Sequence, residues 1–297
     1  MLFSTKLENP MHTVKVAARG ARGGWRTVAG ACRSMTAAYR TLPDFLIVGE
    51  AKAGTTTLYD LLSRHPQVAP AAMKEVHFFD LRFSRGVEWY RAQFPLSYRV
   101  RGDYEGPGAR LCTGEASPYY MLHPHAPRRI KALLPDVRLI VLVRNPIERA
   151  YSHYHHETRA GRESLSFEEA IDREPERLAG ERERMLADEH YSSVAYRRNS
   201  YLRRGQYADQ IDALHALFDP RQVLVVCSEE LFKSPDKAYG EVISFLGLAA
   251  VNKTAIRRQN SGSYAPMSAA TRSRLVAYFE PHNQRLYQLL GRDLRWA

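Results

Sequence analysis

From Pro43 onward the chain alternates short, uninterrupted apolar runs with longer segments in which apolar residues recur every three or four positions. Such runs fit strands covered on both faces, and the 3.6-residue recurrence fits helices packed on them. Strands are therefore expected at Phe45–Val48, Val76–Phe79, Arg138–Val143 and Gln222–Val226. Helices are expected at Thr55–Arg64, Pro127–Leu134, Ile147 to about Arg159, Gln206–Phe218, Asp236–Leu246 and Ser268–Leu290. Strands alternating with helices imply crossovers into a central, mainly parallel sheet, hence one α/β domain flanked by helices. Leu139–Val143 is apolar throughout, which places that strand centrally. Leu58, Leu61 and Leu62, and later Ile211, Leu214 and Leu217, are expected core positions.

Two stretches depart from the pattern. Residues 1–41 carry Lys6, Lys15, Arg19, Arg22, Arg26, Arg33 and Arg40 against the single acid Glu8. That composition predicts a poorly ordered basic extension ahead of a domain at 42–297, with a membrane-surface or transit-type role as the lesser reading. Residues 162–204 form a charge-dense insertion without a long apolar face, expected to be helical, exposed and near the entrance to an acceptor site.

Charge narrows the partners. The 297 residues include 43 basic and 32 acidic side chains, a formal net charge of +11. A surplus of that size draws anions: nucleotides, acidic glycans, nucleic acid or anionic lipid. The arginines of the insertion are interleaved with glutamates and lack a stacking aromatic array, so nucleic acid is not expected. Three cysteines, Cys32, Cys112 and Cys227, are too few and too scattered for a disulfide framework or a zinc site. No window approaches the ~18 apolar residues of a spanning helix, and the first residues lack the apolar stretch of a secretory signal. The expectation is a soluble, cytoplasmic protein without a metal, able at most to touch a membrane through its basic N-terminus.

Candidate chemistry concentrates at residues 45–58, FLIVGEAKAGTTTL, where an apolar strand, a small-residue turn and a helix start follow in succession. The open N–H groups and positive dipole end of such a helix form an anion site, which Gly49 and Gly54 let a phosphate approach closely and to which Thr55, Thr56 and Thr57 add hydroxyls. Gly49 and Gly54 keep the spacing of the triphosphatase loop G-x-x-x-x-G-K-[ST], but Thr55 stands where its lysine belongs and the lysine has moved to Lys52. No acidic pair of the kind that holds magnesium follows an apolar strand, so a metal-bound triphosphate is disfavoured. The residues alone leave three readings: transfer from a phosphorylated nucleotide, a small-molecule kinase, or a polyanion-binding module.

The loop resembles the 5'-phosphosulfate-binding loop of sulfotransferases that use 3'-phosphoadenosine-5'-phosphosulfate, and most of all the heparan sulfate sulfotransferases and their bacterial relatives. Residues 74–80, KEVHFFD, resemble that family's K-E-x-x-F-F-[DN] segment, and residues 139–153, LIVLVRNPIERAYSH, resemble its 3'-phosphate-binding strand, turn and helix. With the closing LGRDL at 290–294 the resemblance covers roughly 43–297 and implies a P-loop-like sulfotransferase fold.

The resemblance also implies roles. Lys52 would serve the leaving oxygen, with Ala53, Gly54, Thr55, Thr56 and Thr57 around the 5'-phosphate. Glu75 is the expected base for a hydroxyl or amine acceptor, with His77 two residues on able to assist or replace it. Arg144 and Ser152 match ligands of the 3'-phosphate; Arg257, Arg258, Ser261 and Gly262 are a further basic turn expected to close over it, and Cys227 and Ser228 are expected near the adenine. Where the heparan-type enzymes often carry E-K-T-P-A-Y, this chain has Glu115, Ala116, Ser117, Pro118, Tyr119 and Tyr120, so a lysine that helps bind an acidic glycan is absent. A disulfide loop of those enzymes is missing as well; the two losses put a heparan-like substrate in doubt and favour a bacterial-type branch, and the acceptor the resemblance implies is a carbohydrate or glycolipid.

Overall fold

The computed structural model describes residues 32–98, 111–250 and 264–296. In chain order it contains β1 (Phe45–Gly49), α1 (Thr55–Ser63), β2 (Val68–Pro70), α2 (Phe78–Leu81), α3 (Gly86–Arg91) and β3 (Cys112–Ala116). After these come α4 (Ala126–Leu133), β4 (Arg138–Val143) and α5 (Pro146–Arg159). Four short helices follow, α6 (Phe167–Asp172), α7 (Glu174–Leu178), α8 (Glu181–Ala187) and α9 (Val194–Arg198). The chain then forms α10 (Tyr207–His215), β5 (Val223–Cys227), α11 (Ser228–Lys233), α12 (Pro235–Leu246) and α13 (Ala269–Leu290).

All five strands pair in parallel, in the order β2-β3-β1-β4-β5. Alternation along the strands splits the core between the two faces. Leu46 and Val48 of β1 with Leu139 and Val141 of β4 pack beneath the Phe78, Tyr90 and Tyr207 side, whereas Phe45 and Ile47 with Ile140 and Leu142 pack against α1 and α12. The chain leaves β1 toward β2 and β3 on one side of the sheet, while β4 and β5 lie on the other. The connections after β1 and β4 therefore diverge, and the crevice between them is where an open parallel sheet binds ligands.

Several expectations need correction. Val76–Phe79 is not a strand: the backbone turns through the left-handed region at His77 (φ 54°) and enters α2. Its apolar character reflects burial in an aromatic cluster, where the Phe78 ring stacks on Tyr90 at 4.3 Å and Phe79 meets Tyr120 edge-on at 5.4 Å. Two strands, β2 and β3, were not anticipated. Leu217 is 37% exposed, and Phe218 beside it is buried instead. Residues 32–41 belong to the fold rather than to a free extension, since Ala37 is buried and Arg40 donates to the Phe94 carbonyl at 2.7 Å.

The insertion is helical and residues 172–190 are largely exposed, as expected, but part of it is built into the core. Phe167, Ala170 and Ile171 pack with Tyr201, Leu275 and Phe279 in a cluster of their own. The expected turn at Arg257, Arg258, Ser261 and Gly262 lies outside the described residues, as do residues 1–31.

Candidate active site

A cleft of about 920 Å³ opens at the C-terminal ends of β1 and β4. Its floor is the turn 50–54 and the start of α1, set by Gly54 at φ 97°, which a side chain rarely adopts. Leu58 makes the first intrahelical bond, to the Gly54 carbonyl at 3.0 Å. The amides of Thr55, Thr56 and Thr57 therefore sit at the open, positive end of α1. All three threonines line the cleft. The Ala53 side chain is buried in the core and its N–H is donated to the Glu50 carbonyl at 3.1 Å, which removes Ala53 from the set of donors facing the cleft. Gly49 also serves packing rather than phosphate approach, since a Cβ there would lie 2.7 Å from Met121 Sδ.

Lys52 projects into the cleft from a left-handed position, φ 71°. Its pKa is lowered, first by burial and then by the positive charges of Arg159 and Arg144. The Arg144 guanidinium donates to the Lys52 carbonyl at 3.1 Å, tying the loop after β4 to the loop after β1. Asn145 caps α5 through its side chain, which accepts from the Ile147 amide at 3.0 Å. That cap starts the helix directly behind Arg144 and brings Ser152 to the same cleft. Glu148, an alternative partner for Arg144 four residues on, pairs instead with Arg272 at 2.5 Å. Ser228 lines the cleft; Cys227 is buried beside it, donating toward Glu229 at 3.0 Å.

The opposite wall carries Glu75 and His77. An extended segment was the expected reason for their sharing a face; a left-handed turn does it instead. His77 Nε2 lies 2.8 Å from Glu75 Oε2, and its Nδ1 lies 2.7 Å from Asp80 Oδ2. Burial acts to lower the His77 pKa, but the bonds and charges of Asp80 and Glu75 outweigh it and push the value up to about 9. Burial likewise acts to raise Glu75, yet the combined pull of His77 and Lys74 leaves its pKa lowered. Near neutral pH the pair is an imidazolium holding an ionised carboxylate. Lys74 also reaches Thr56 Oγ1 at 3.1 Å, so the two walls meet through one ammonium.

Asp80 is not among the residues expected to act; the His77-x-x-Asp80 spacing across the start of a helix is the signal that points to it. The insertion, expected near the entrance to the acceptor site but with no site residue of its own, supplies Arg162, Arg197, Arg198 and Arg204 to the lining of the cleft. Arg204 forms a buried ion pair with Glu50 at the base of the phosphate-type loop. Among the described residues no group of three or more His, Cys, Asp or Glu side chains is placed to hold a metal ion, and no helix is long and apolar enough to cross a membrane.

The chain is similar to known proteins over most of its length. The human "Heparan sulfate glucosamine 3-O-sulfotransferase 6" is 32% identical over 282 residues, covering 87% of this chain and 75% of its own. The Dictyostelium discoideum "Membrane-associated sulfotransferase kil1" is 24% identical over 321 residues, covering 86% of this chain, which spans 66% of that relative's length. Among solved structures, a sulfotransferase from Alicyclobacillus acidocaldarius superposes with a TM-score of 0.61 at 31% identity, over 86% of this chain and 98% of the other. A sequence profile described as "Sulfotransferase domain" matches residues 42–285, and the chain belongs to that family of sulfuryl-transferring enzymes.

Proposed function

We propose that the protein moves a sulfuryl group from 3'-phosphoadenosine-5'-phosphosulfate to a hydroxyl or amine on a carbohydrate or glycolipid acceptor. The observation that carries this reading is the placing within one cleft of Lys52 and the open N-terminus of α1 on one side and Glu75 bonded to His77 on the other. Sulfuryl transfer requires little else: an anion site at the leaving end, a base at the attacking end, and alignment between them.

The amides and hydroxyls of Thr55–Thr57 and the Gly54 turn hold the 5'-phosphate end of the donor, and Lys52 stabilises negative charge as the bridging oxygen leaves. Arg144 and Ser152 take the 3'-phosphate. Glu75 accepts the acceptor's proton while the nucleophile attacks sulfur in line. His77 does not compete for that proton, because it already carries one between two carboxylates. A carbohydrate acceptor is supported by the named substrates of the heparan sulfate relatives. Ala116, in place of a lysine in their E-K-T-P-A-Y segment, argues for a less acidic glycan than theirs.

The test uses donor labelled with ³⁵S and a panel of glycans and glycolipids, with ATP labelled at the γ-phosphate in parallel. Label passing from the sulfate donor to an acceptor, and none from ATP, is the expected outcome. Phosphoryl transfer, or binding of adenosine 3',5'-bisphosphate no tighter than that of AMP, would overturn the reading.

A further inference from the structure

One fully buried carboxylate, Glu115 on β3, takes no part in the chemistry above. Its oxygens gather three hydroxyls. Oε2 accepts from Ser117 Oγ at 2.7 Å, and Oε1 accepts from Tyr120 Oη at 2.8 Å and from Tyr90 Oη at 3.0 Å. Two of these hydroxyls are themselves acceptors. Ser117 Oγ receives the backbone N–H of His77 at 2.9 Å, and Tyr120 Oη receives that of Phe78 at 2.8 Å.

When Glu115 is ionised, the directions of these bonds are fixed. An amide can only donate, so Ser117 and Tyr120 must accept from the turn and spend their single protons on Glu115. Glu115 then serves as the common terminus of two relays that begin at consecutive amides of the segment carrying Glu75 and His77. His77 adopts a left-handed backbone, φ 54°, which a non-glycine residue holds only when its surroundings impose it. The relay supplies that imposition at the residue whose ring grips Glu75.

We infer that Glu115 is a positioning residue for the reaction: through Ser117 and Tyr120 it holds the turn in which His77 clamps the Glu75 carboxylate toward the cleft. The inference rests on the assignment of Glu75 as the base. Burial of this carboxylate, with no ion pair to it among the described residues, is unfavourable and raises its pKa to about 7 in spite of the three donors. The titratable groups facing it are Tyr90 from α3, Tyr120, Asp80 from α2 and Tyr59 from α1. Purely structural packing would be met more cheaply by an apolar side chain. Relays that end on backbone amides of the base-bearing turn give the carboxylate its reason.

The test separates this inference from the reading it rests on. Protein labelled with ¹³C-histidine is titrated by NMR, with the His77 signal assigned by its loss in His77→Ala. Ser117→Ala and Tyr120→Phe each cut one relay, and Glu115→Gln keeps the shape but cannot accept from all three hydroxyls. The expected result is a fall of about one unit or more in the His77 titration from its position at about 9. Turnover is expected to fall on the order of 10²-fold, since a small displacement of a reacting group costs that much. Affinity for adenosine 3',5'-bisphosphate should stay within about twofold, because the relay ends away from Lys52 and Arg144. If Glu115→Gln does not fold, the Ser117 and Tyr120 variants decide the matter. An unchanged His77 titration in both, with nucleotide binding intact, overturns the inference. Wild-type protein that transfers no sulfate overturns the functional reading instead, and leaves the His77 titration to judge the relay.

Discussion

Lys52 and His77 are both cations in a half-buried cleft, and their surroundings treat them in opposite ways. Lys52 is disfavoured by burial, Arg159 and Arg144, and its pKa falls. A cation kept where its neighbours repel it stabilises an anionic ligand more than it stabilises the fold. Lys52→Ala is therefore expected to lower kcat on the order of 10²–10³-fold while the melting temperature holds or rises. A drop in melting temperature with the rate preserved would make Lys52 part of the scaffold. His77 is favoured by two carboxylates, and its raised pKa means that the fold prefers the imidazolium. That stabilisation is complete below the ordinary histidine value of about 6.5 and is lost as pH rises through about 9. The rate is expected to follow it, falling on the alkaline side through about 9 as the clamp on Glu75 opens. A rate that instead climbs through that pH would identify neutral His77 as the base. Lys52 stands out in the sequence because a turn between a buried strand and a helix has few uses for a charge, whereas His77 enters only through the resemblance of residues 74–80. Asp80 does not stand out, because its effect comes through a ring nitrogen whose direction the left-handed turn decides.

At the scale of elements, legibility followed burial. β1, β4 and β5 are covered by helices on both faces and read as apolar runs, and their expected bounds were close to those found. β3, with the sequence Cys-Thr-Gly-Glu-Ala, reads as nothing of the kind, although every residue in it is buried. Each exception to strand preference has a task there. Glu115 anchors the relay, and Gly114 makes room for the Phe45 ring of the neighbouring strand. A Cβ at Gly114 would lie 2.5 Å from Phe45 Cε1 and Cζ, in a site where Phe45 is fully buried and cannot swing aside. Gly114→Ala is expected to destabilise the fold by about 1–3 kcal/mol in urea unfolding, with partial recovery when Phe45→Leu is added. The same loss in both variants would show that the clash is absorbed elsewhere. The Val76–Phe79 run erred the opposite way: a short apolar segment inside an aromatic cluster has the same pattern as a covered strand, and only a neighbouring strand to pair with tells them apart.

For the molecule as a whole, the question is how the charged insertion became part of the site. Its arginines alternate with glutamates, a pattern that sequence alone assigns to solvent. In the fold the final arginine of that run is buried. Arg204 pairs with Glu50, donates to the Arg197 carbonyl at 3.0 Å, and lies 5.2 Å over the Tyr119 ring. Glu50 in turn accepts the Ala51 amide at 2.5 Å, one residue before Lys52. One ion pair therefore joins the insertion, the wall beside Pro118 and the phosphate-type loop. Removing the arginine leaves a buried carboxylate whose Oε2 already lacks a hydrogen-bond partner among the described residues. Arg204→Met is expected to cost about 3 kcal/mol, the penalty for removing one partner of a buried ion pair while the charge of Arg149 still acts on Glu50, and adding Glu50→Gln should recover part of it. Nucleotide binding distinguishes a scaffold from a coupling device. If the pair holds the loop for the donor, the double variant regains stability but still binds adenosine 3',5'-bisphosphate more weakly, because Arg204 no longer fixes the turn ahead of Lys52. Recovery of both together would confine the pair to stability and leave the loop to be set by Gly54 and Arg144 alone.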